Sequence, residues 1–454
     1  MSSSNQSSYF TLRNWVILLL PSLIGVYLFM VPVANEKGLT IPVALMANQL
    51  KTWLGVWMPT VLMALIGISG FLTLMVKLFG EQRLSSDSFI KKLFAPSWSW
   101  VLVRVVGAIC AAMVYWQQGV PEMIGQATGQ LVFNELLPVL LCVFIFAGML
   151  LPLLLNFGLL EFVGTLMTKI MRPIFRLPGR SAVDCLASWI GDGSVGILLT
   201  SKQYEEGFYT AREAAVIGTT FSAVSITFCL VVLGQVKLEH MFLPFYLTIC
   251  TAGLVAAIVL PYLPPLRNKP DTYIGGYDHM RAEGGEFSNF GVFKRALAHG
   301  LHRASIAPSA AKTVKDGVHN TLDMVFGVLP VIMAVGTFAL VIAEHTPVFT
   351  WLGAPFVPLF DLLQIPFAED AAKSVMVGFA DMFVPSILIS TVPSEMTRFV
   401  IAALSVTQLI YMSEVGALLL GSKIPVSFFD LLVLFILRTL ITLPVIALMA
   451  HWLF

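Results

Sequence analysis

The sequence predicts an all-α integral membrane protein: about nine transmembrane helices plus two re-entrant hairpins, arranged as an inverted-topology repeat. Three observations carry this. Of 454 residues, 57% are hydrophobic and only 12% are charged, against about 25% charged in a soluble domain. Apolar runs of spanning length recur along the chain. Two further apolar stretches are broken by glycine or proline, and they resemble each other.

The mean hydropathy of +0.85 excludes a soluble globule. The formal net charge of +1 gives no reason to expect nucleic acid. Cys110, Cys142, Cys185, Cys229 and Cys250 lie in apolar runs without metal-ligand spacing and read as small hydrophobes, not as a disulfide framework. The first apolar run, 15–33, is too long for a signal-peptide core and lacks a cleavage site, so it reads as a retained helix.

About 20 apolar residues cross a bilayer. Residues 15–33, 54–76, 98–116, 136–158, 211–233, 244–263, 318–342, 398–421 and 426–450 meet that requirement. The stretches 178–201 and 366–394 are apolar but interrupted, by Gly191, Gly193 and Gly196 in the first and by Gly378 and Pro385 in the second. Lys/Arg bias sets orientation. Basic residues crowd 77–97, 159–180 and 264–316, whereas 117–135 and 343–372 contain neither Lys nor Arg. One arrangement satisfies all five: a cytoplasmic N-terminus, nine spans, and each broken stretch returning to its own side. The protein is then expected in the bacterial inner membrane, in contact with its lipids. In the long loop, Phe293, Leu297 and Leu301 share a helical face with Lys294, Arg295, His302 and Arg303 largely off it, which predicts a helix lying on the anionic leaflet. His299 and His302 read as part of that solvated basic face. There is no G-x-x-x-x-G-K-[ST] loop, so ATP or GTP hydrolysis by that route is not expected.

The chain repeats itself at an offset of about 190 residues. "LLPVLLCVFIFA" (136–147) matches "VLPVIMAVGTFA" (328–339), and "DGSVGILLTS" (192–201) matches "DMFVPSILIS" (381–390). Each copy runs helix, interfacial segment, hairpin, polar helix. The units are scaffold helices 1–125, a first copy 126–263 with hairpin 178–201, a basic loop 264–316, and a second copy 317–454 with hairpin 366–394. Charge bias makes the two copies inverted. A broken helix leaves backbone N–H and C=O groups that cannot face lipid, so the two hairpin tips are expected to approach one site from opposite sides.

The "LPV" helix, "RPIFRLPGRSAVDCLASWIGDGSVGILLTSKQYEEG" (172–207) and "PFAEDAAKSVMVGFADMFVPSILIS" (366–390) resemble the Gate-domain, or nucleoside-recognition, family of membrane proteins. The resemblance covers roughly 130–450 and is nearest a branch with two Gate domains. It implies a kinship with concentrative nucleoside transporters and spore-maturation membrane proteins. Nucleosides enter as candidate solutes by that route.

Ionisable and polar groups inside the apolar zone are the candidate site. They are Asp184, Ser188, Asp192 and Ser194 in the first hairpin, and Ser222 and Ser225 in the helix after it. The second copy offers Lys373, Asp381, Ser386, Gln408 and Glu414, and the last helix offers Arg438. Asp192 and Asp381 match across the repeat. Glu414 and Arg438 read either as a structural ion pair or as groups facing the solute. The expected function is secondary active transport of a small polar organic solute, amino-acid-like, a short peptide or a nucleoside, coupled to H+ or to Na+ held near the hairpin tips. No enzyme activity and no cofactor are expected, and a homo-oligomer is left open. The rivals are a non-transporting Gate-domain module in a larger assembly, and an intramembrane aspartyl hydrolase built on Asp192 and Asp381. The second lacks the G-x-G-D pattern.

Overall fold

The computed structural model describes residues 9–31, 33–35, 38–80, 88–188, 193–221, 226–274 and 291–454. It is all-α apart from one short antiparallel pair, Val33–Asn35 with Gly38–Thr40. Seven helical segments among the described residues are long and apolar enough to cross a membrane: Leu12–Met30, Pro42–Phe79, Trp98–Trp116, Leu131–Leu155, Phe242–Tyr262, Ala310–His345 and Phe428–Leu453. The second begins earlier than hydropathy alone placed it, because Pro42–Leu54 is itself helical and joins Met58–Met75 through a bend at Gly55–Trp57.

The two remaining expected spans, 211–233 and 398–421, are not continuous helices. In the first copy Ala211–Thr220 ends at a bend at Phe221 and a second helix covers Ile226–Gln235, with 222–225 outside the described residues. In the second, Glu395–Gln408 and Val415–Gly421 are separated by 409–414. In each copy the expected span is therefore divided between two described helices. Each copy opens with a wide π-helical turn, Leu131–Leu136 or Asp323–Val328, that leads into a helix with proline in its first turn, Leu137–Leu155 or Leu329–His345. A hairpin follows, then the broken helix, then a long helix, Phe242–Val259 or Phe428–Leu453.

Both hairpins double back. The arms of the first are Ser181–Leu186 and Gly193–Glu205, and Asp184 on one arm bonds Thr200 and Gln203 on the other. The arms of the second are Ala368–Val377 and Val384–Ile389. Its mouth is closed by Thr397, whose hydroxyl donates to the Pro366 carbonyl at 2.7 Å. The segments that charge bias assigns to one side of the membrane border a single crevice of about 740 Å³, with Phe89, Asn156, Lys202, Ile274, Arg303 and Lys423 among its walls. The described part of the long loop is fastened to the helices by Lys269 on Asp430 at 2.7 Å and by Thr210 on Asp271 at 2.8 Å.

The helix Val292–Ser305 forms as the pattern required, but its apolar face does not rest on lipid. Ala296, Leu301 and Ala304 are buried, and Leu301 packs with Leu18, Trp15 and Leu297 against the first helix. Protein occupies the face meant for the leaflet, and Phe293 remains exposed, edge-on to Phe162.

Candidate functional site

A cavity of about 540 Å³ lies where the two copies meet. Its walls come from five kinds of element: the π-turn before the first helix (Leu131, Glu135, Leu136), that helix itself (Val139, Leu140, Val143), the first hairpin at Gly193, the second hairpin tip (Asp381, Met382, Phe383, Val384), and both broken helices (Phe228 and Val231 in the first copy, Leu409, Tyr411 and Glu414 in the second). Phe228 and Phe383 stand edge-on across the two copies with ring centres 5.9 Å apart. The walls are mainly apolar, and the charged lining residues are Glu135, Asp381 and Glu414.

The second hairpin tip and the second break build each other. Two amides of the break pair with the tip: Met412 N donates to Phe379 O at 2.8 Å and Ser413 N to Ala380 O at 2.9 Å. Leu409 takes a left-handed conformation, φ +59°, unusual for a branched apolar residue. This strained turn lets the chain leave the helix. The close approach needs Gly378, because a Cβ there would fall 2.3 Å from Gln408 Oε1. Asp381 serves both sides. Its Oδ1 accepts from Phe383 N at 2.8 Å and Val384 N at 3.3 Å, capping the second arm. Its Oδ2 accepts from the Ser413 hydroxyl at 2.7 Å. Glu414 stands at the start of Val415–Gly421, and the Tyr411 hydroxyl donates to it at 3.3 Å. It lies in an unwound segment and not within a spanning helix.

Asp184 is placed elsewhere. Its carboxylate is 1% exposed and accepts from Thr200 Oγ1 at 2.9 Å, Gln203 Nε2 at 2.6 Å and Tyr209 OH at 3.0 Å. Gln203 passes the interaction on, accepting from Arg180 Nε at 2.7 Å. The Arg180 guanidinium lies over the Phe208 ring at 3.6 Å and 3.7 Å from Glu161. Asp184 thus ties the first hairpin together and does not line the 540 Å³ cavity.

Lys373, Ser386, Gln408, Arg438, Ser188 and Ser194 are also displaced from the cavity. Lys373 is at the surface, its side chain 55% exposed, 3.9 Å from Asp370 one helical turn away. Ser386 is fully buried on the second arm. Gln408 is buried behind the tip, donating to Thr439 Oγ1 at 2.9 Å and to the Val375 carbonyl at 3.3 Å. Arg438 does not pair with Glu414; among the described residues no ion pair joins them. Its guanidinium donates to the backbone carbonyls of Thr407, Thr219 and Thr220. Ser188 and Ser194 are buried in the first hairpin. Asp192, Ser222 and Ser225 lie outside the described residues.

Glu135 is the lining acid that sequence reasoning missed. It sits at the end of a segment read as an outer loop, and the repeat gives no hint of it because Gly327 stands at the matching place in the second π-turn. Among the described residues no cluster of three or more His, Cys, Asp or Glu is arranged to hold a metal ion.

A multi-pass helical membrane protein with two hairpins and two discontinuous helices converging on one cavity has a transporter-like build. Residues 137–239 match the family model described as Gate, nucleoside recognition. A protein of Alkalihalophilus pseudofirmus whose own function is uncharacterised is 47% identical over 455 residues, covering 99% of this chain and 97% of the relative. The chain belongs to the Gate-domain family of membrane proteins.

Proposed function

We propose that this protein is a secondary active transporter that moves a nucleoside-like solute by alternating access, coupled to H+ or Na+. The observation that carries the reading is the 540 Å³ cavity lined by both hairpins, by the second copy's break and by Phe228 and Val231 of the first copy's helix Ile226–Gln235. Its volume is within the range of small-molecule sites, about 300–1,000 Å³. Phe228, Phe383 and the aliphatic walls suit a flat apolar ring. Glu135, Asp381 and Glu414 suit hydroxyl and amine donors, or a coupling cation. The amphoteric solutes, amino acids and short peptides, lose support because neither Lys373 nor Arg438, the cations able to meet a solute carboxylate, lines the cavity. The element order of the second copy supports a second, inverted Gate unit over 317–454.

The test is uptake into proteoliposomes. Labelled nucleosides should enter saturably when a proton or sodium gradient is imposed, and amino acids and dipeptides should not. Folded protein that moves none of them under either gradient would return the reading to a non-transporting module.

Orientation belongs to the same proposal: an N-terminus inside, in a bacterial inner membrane. Cysteine placed at Glu206, in the wall of the 740 Å³ crevice, should react with an impermeant reagent only from the cytoplasm. Cysteine placed at Glu395, beyond the second hairpin, should react only from outside. Labelling of both from one face would dismantle the inverted arrangement.

A further inference from the structure

Arg438 is 2% exposed and sits midway along Phe428–Leu453, a helix of spanning length. A buried charge without a counter-ion is costly, yet no carboxylate is within ion-pair distance among the described residues. The carbonyls it bonds explain this. Thr219 and Thr220 are the last two residues of Ala211–Thr220, the first half of the first copy's broken helix. Nε donates to Thr407 O, one residue from the end of Glu395–Gln408, the first half of the second copy's broken helix. Nη1 reaches Thr220 O at 3.2 Å and Thr219 O at 3.4 Å. The last carbonyls of a helix have no partners of their own, and they carry about half a unit of negative charge. Two such ends together present about one negative charge. One guanidinium, with its planar fan of donors, matches that charge and serves both ends.

We infer that Arg438 is a shared C-terminal cap that fastens the first halves of both discontinuous helices, one from each inverted copy, into a single body. Both half-helices end inside the protein, and one side chain from a third helix donates to carbonyls at both ends. The buried hydroxyls around it bond within their own helices, Thr219 to Ala215 O at 2.7 Å and Thr442 to Arg438 O at 2.9 Å, so they do not compete for the role. Arg438 is therefore a positioning residue. A consequence, which rests on the transport reading above, is that the two half-helices move together as the cavity opens and closes. The cap itself does not depend on that reading.

The experiment is hydrogen exchange on the purified full-length protein without solute, comparing wild type with Arg438→Met and Arg438→Lys. Losing charge-assisted hydrogen bonds at both helix ends should speed exchange in the last turns of 211–220 and 395–408 together, by about tenfold or more in the Met variant. The Lys variant keeps the charge without the planar fork and should show a smaller rise in the same two peptides. Helix Leu137–Leu155 serves as the unaffected reference. Acceleration in only one of the two peptides, or in neither, overturns the shared cap. So does a Met variant that keeps wild-type exchange and loses transport, because that pattern assigns Arg438 to the solute. If the Met variant does not fold, the Lys variant decides by the same two peptides. Failure of transport in every protein would sink the proposed function and leave the exchange result standing.

Discussion

Replacing Asp184 by alanine is expected to lower stability by about 3–5 kcal/mol, the range for removing one partner of a buried charged network. The carboxylate is nearly inaccessible and receives three donors. Without it the Thr200 and Tyr209 hydroxyls and the Gln203 amide lose their acceptor inside the protein, each at a cost of about 1–3 kcal/mol if nothing replaces it. Gln203 also orients Arg180, so the loss spreads to the link with Glu161. Asp184→Asn is the informative partner. Asparagine offers one acceptor oxygen and brings a donor group toward three donors, so it should destabilise too, though by less than alanine. Thermal melting of the purified protein in detergent measures both. An alanine variant that melts with the wild type would show that the network is not needed to close the hairpin. The expectation concerns stability and not solute affinity, because Asp184 lies away from the cavity.

This division of labour among the acids was only partly legible in the sequence. Hydropathy located the long helices because burial in lipid leaves an unambiguous compositional mark. The first hairpin was legible because glycines interrupt an apolar run. The break at 409–414 was not. "LIYMSE" contains neither glycine nor proline, and its unwinding is imposed from a distance by the carbonyls of Phe379 and Ala380. No local propensity encodes that. Lys373 was misplaced because, in a hairpin arm, spacing alone does not say which face is wet. The pairing of Glu414 with Arg438 failed for a different reason. Membrane electrostatics demands a counter-charge for a buried arginine, and a sequence displays carboxylates but not helix ends. Only the fold reveals that backbone carbonyls from two copies supply it.

Asp381 carries the second large effect. Two of its jobs are structural: capping Val384–Ile389 and accepting from Ser413 across the break. The third is electrostatic, since it places a negative charge in the cavity wall. The two substitutions separate these roles. Asparagine is about as good a cap as aspartate, so Asp381→Asn should fold and melt near the wild type. It removes the charge, and a charge-assisted hydrogen bond is worth about 1.5–3 kcal/mol. Apparent affinity for the solute or coupling ion should fall about 10- to 100-fold. Asp381→Ala removes the cap as well, and adds about 0.5–2 kcal/mol of destabilisation localised at the tip. Gradient-driven uptake, measured with melting temperature for both variants, distinguishes the outcomes. If Asn and Ala lose uptake only in step with their stability, the aspartate is a tip-building residue. If Asn loses uptake at full stability, the charge itself acts in the cavity. Wild-type uptake in Asp381→Asn would leave Glu135 and Glu414 as the acids that face the solute. The match between Asp381 and Asp192 would then record common descent of the two copies and nothing more.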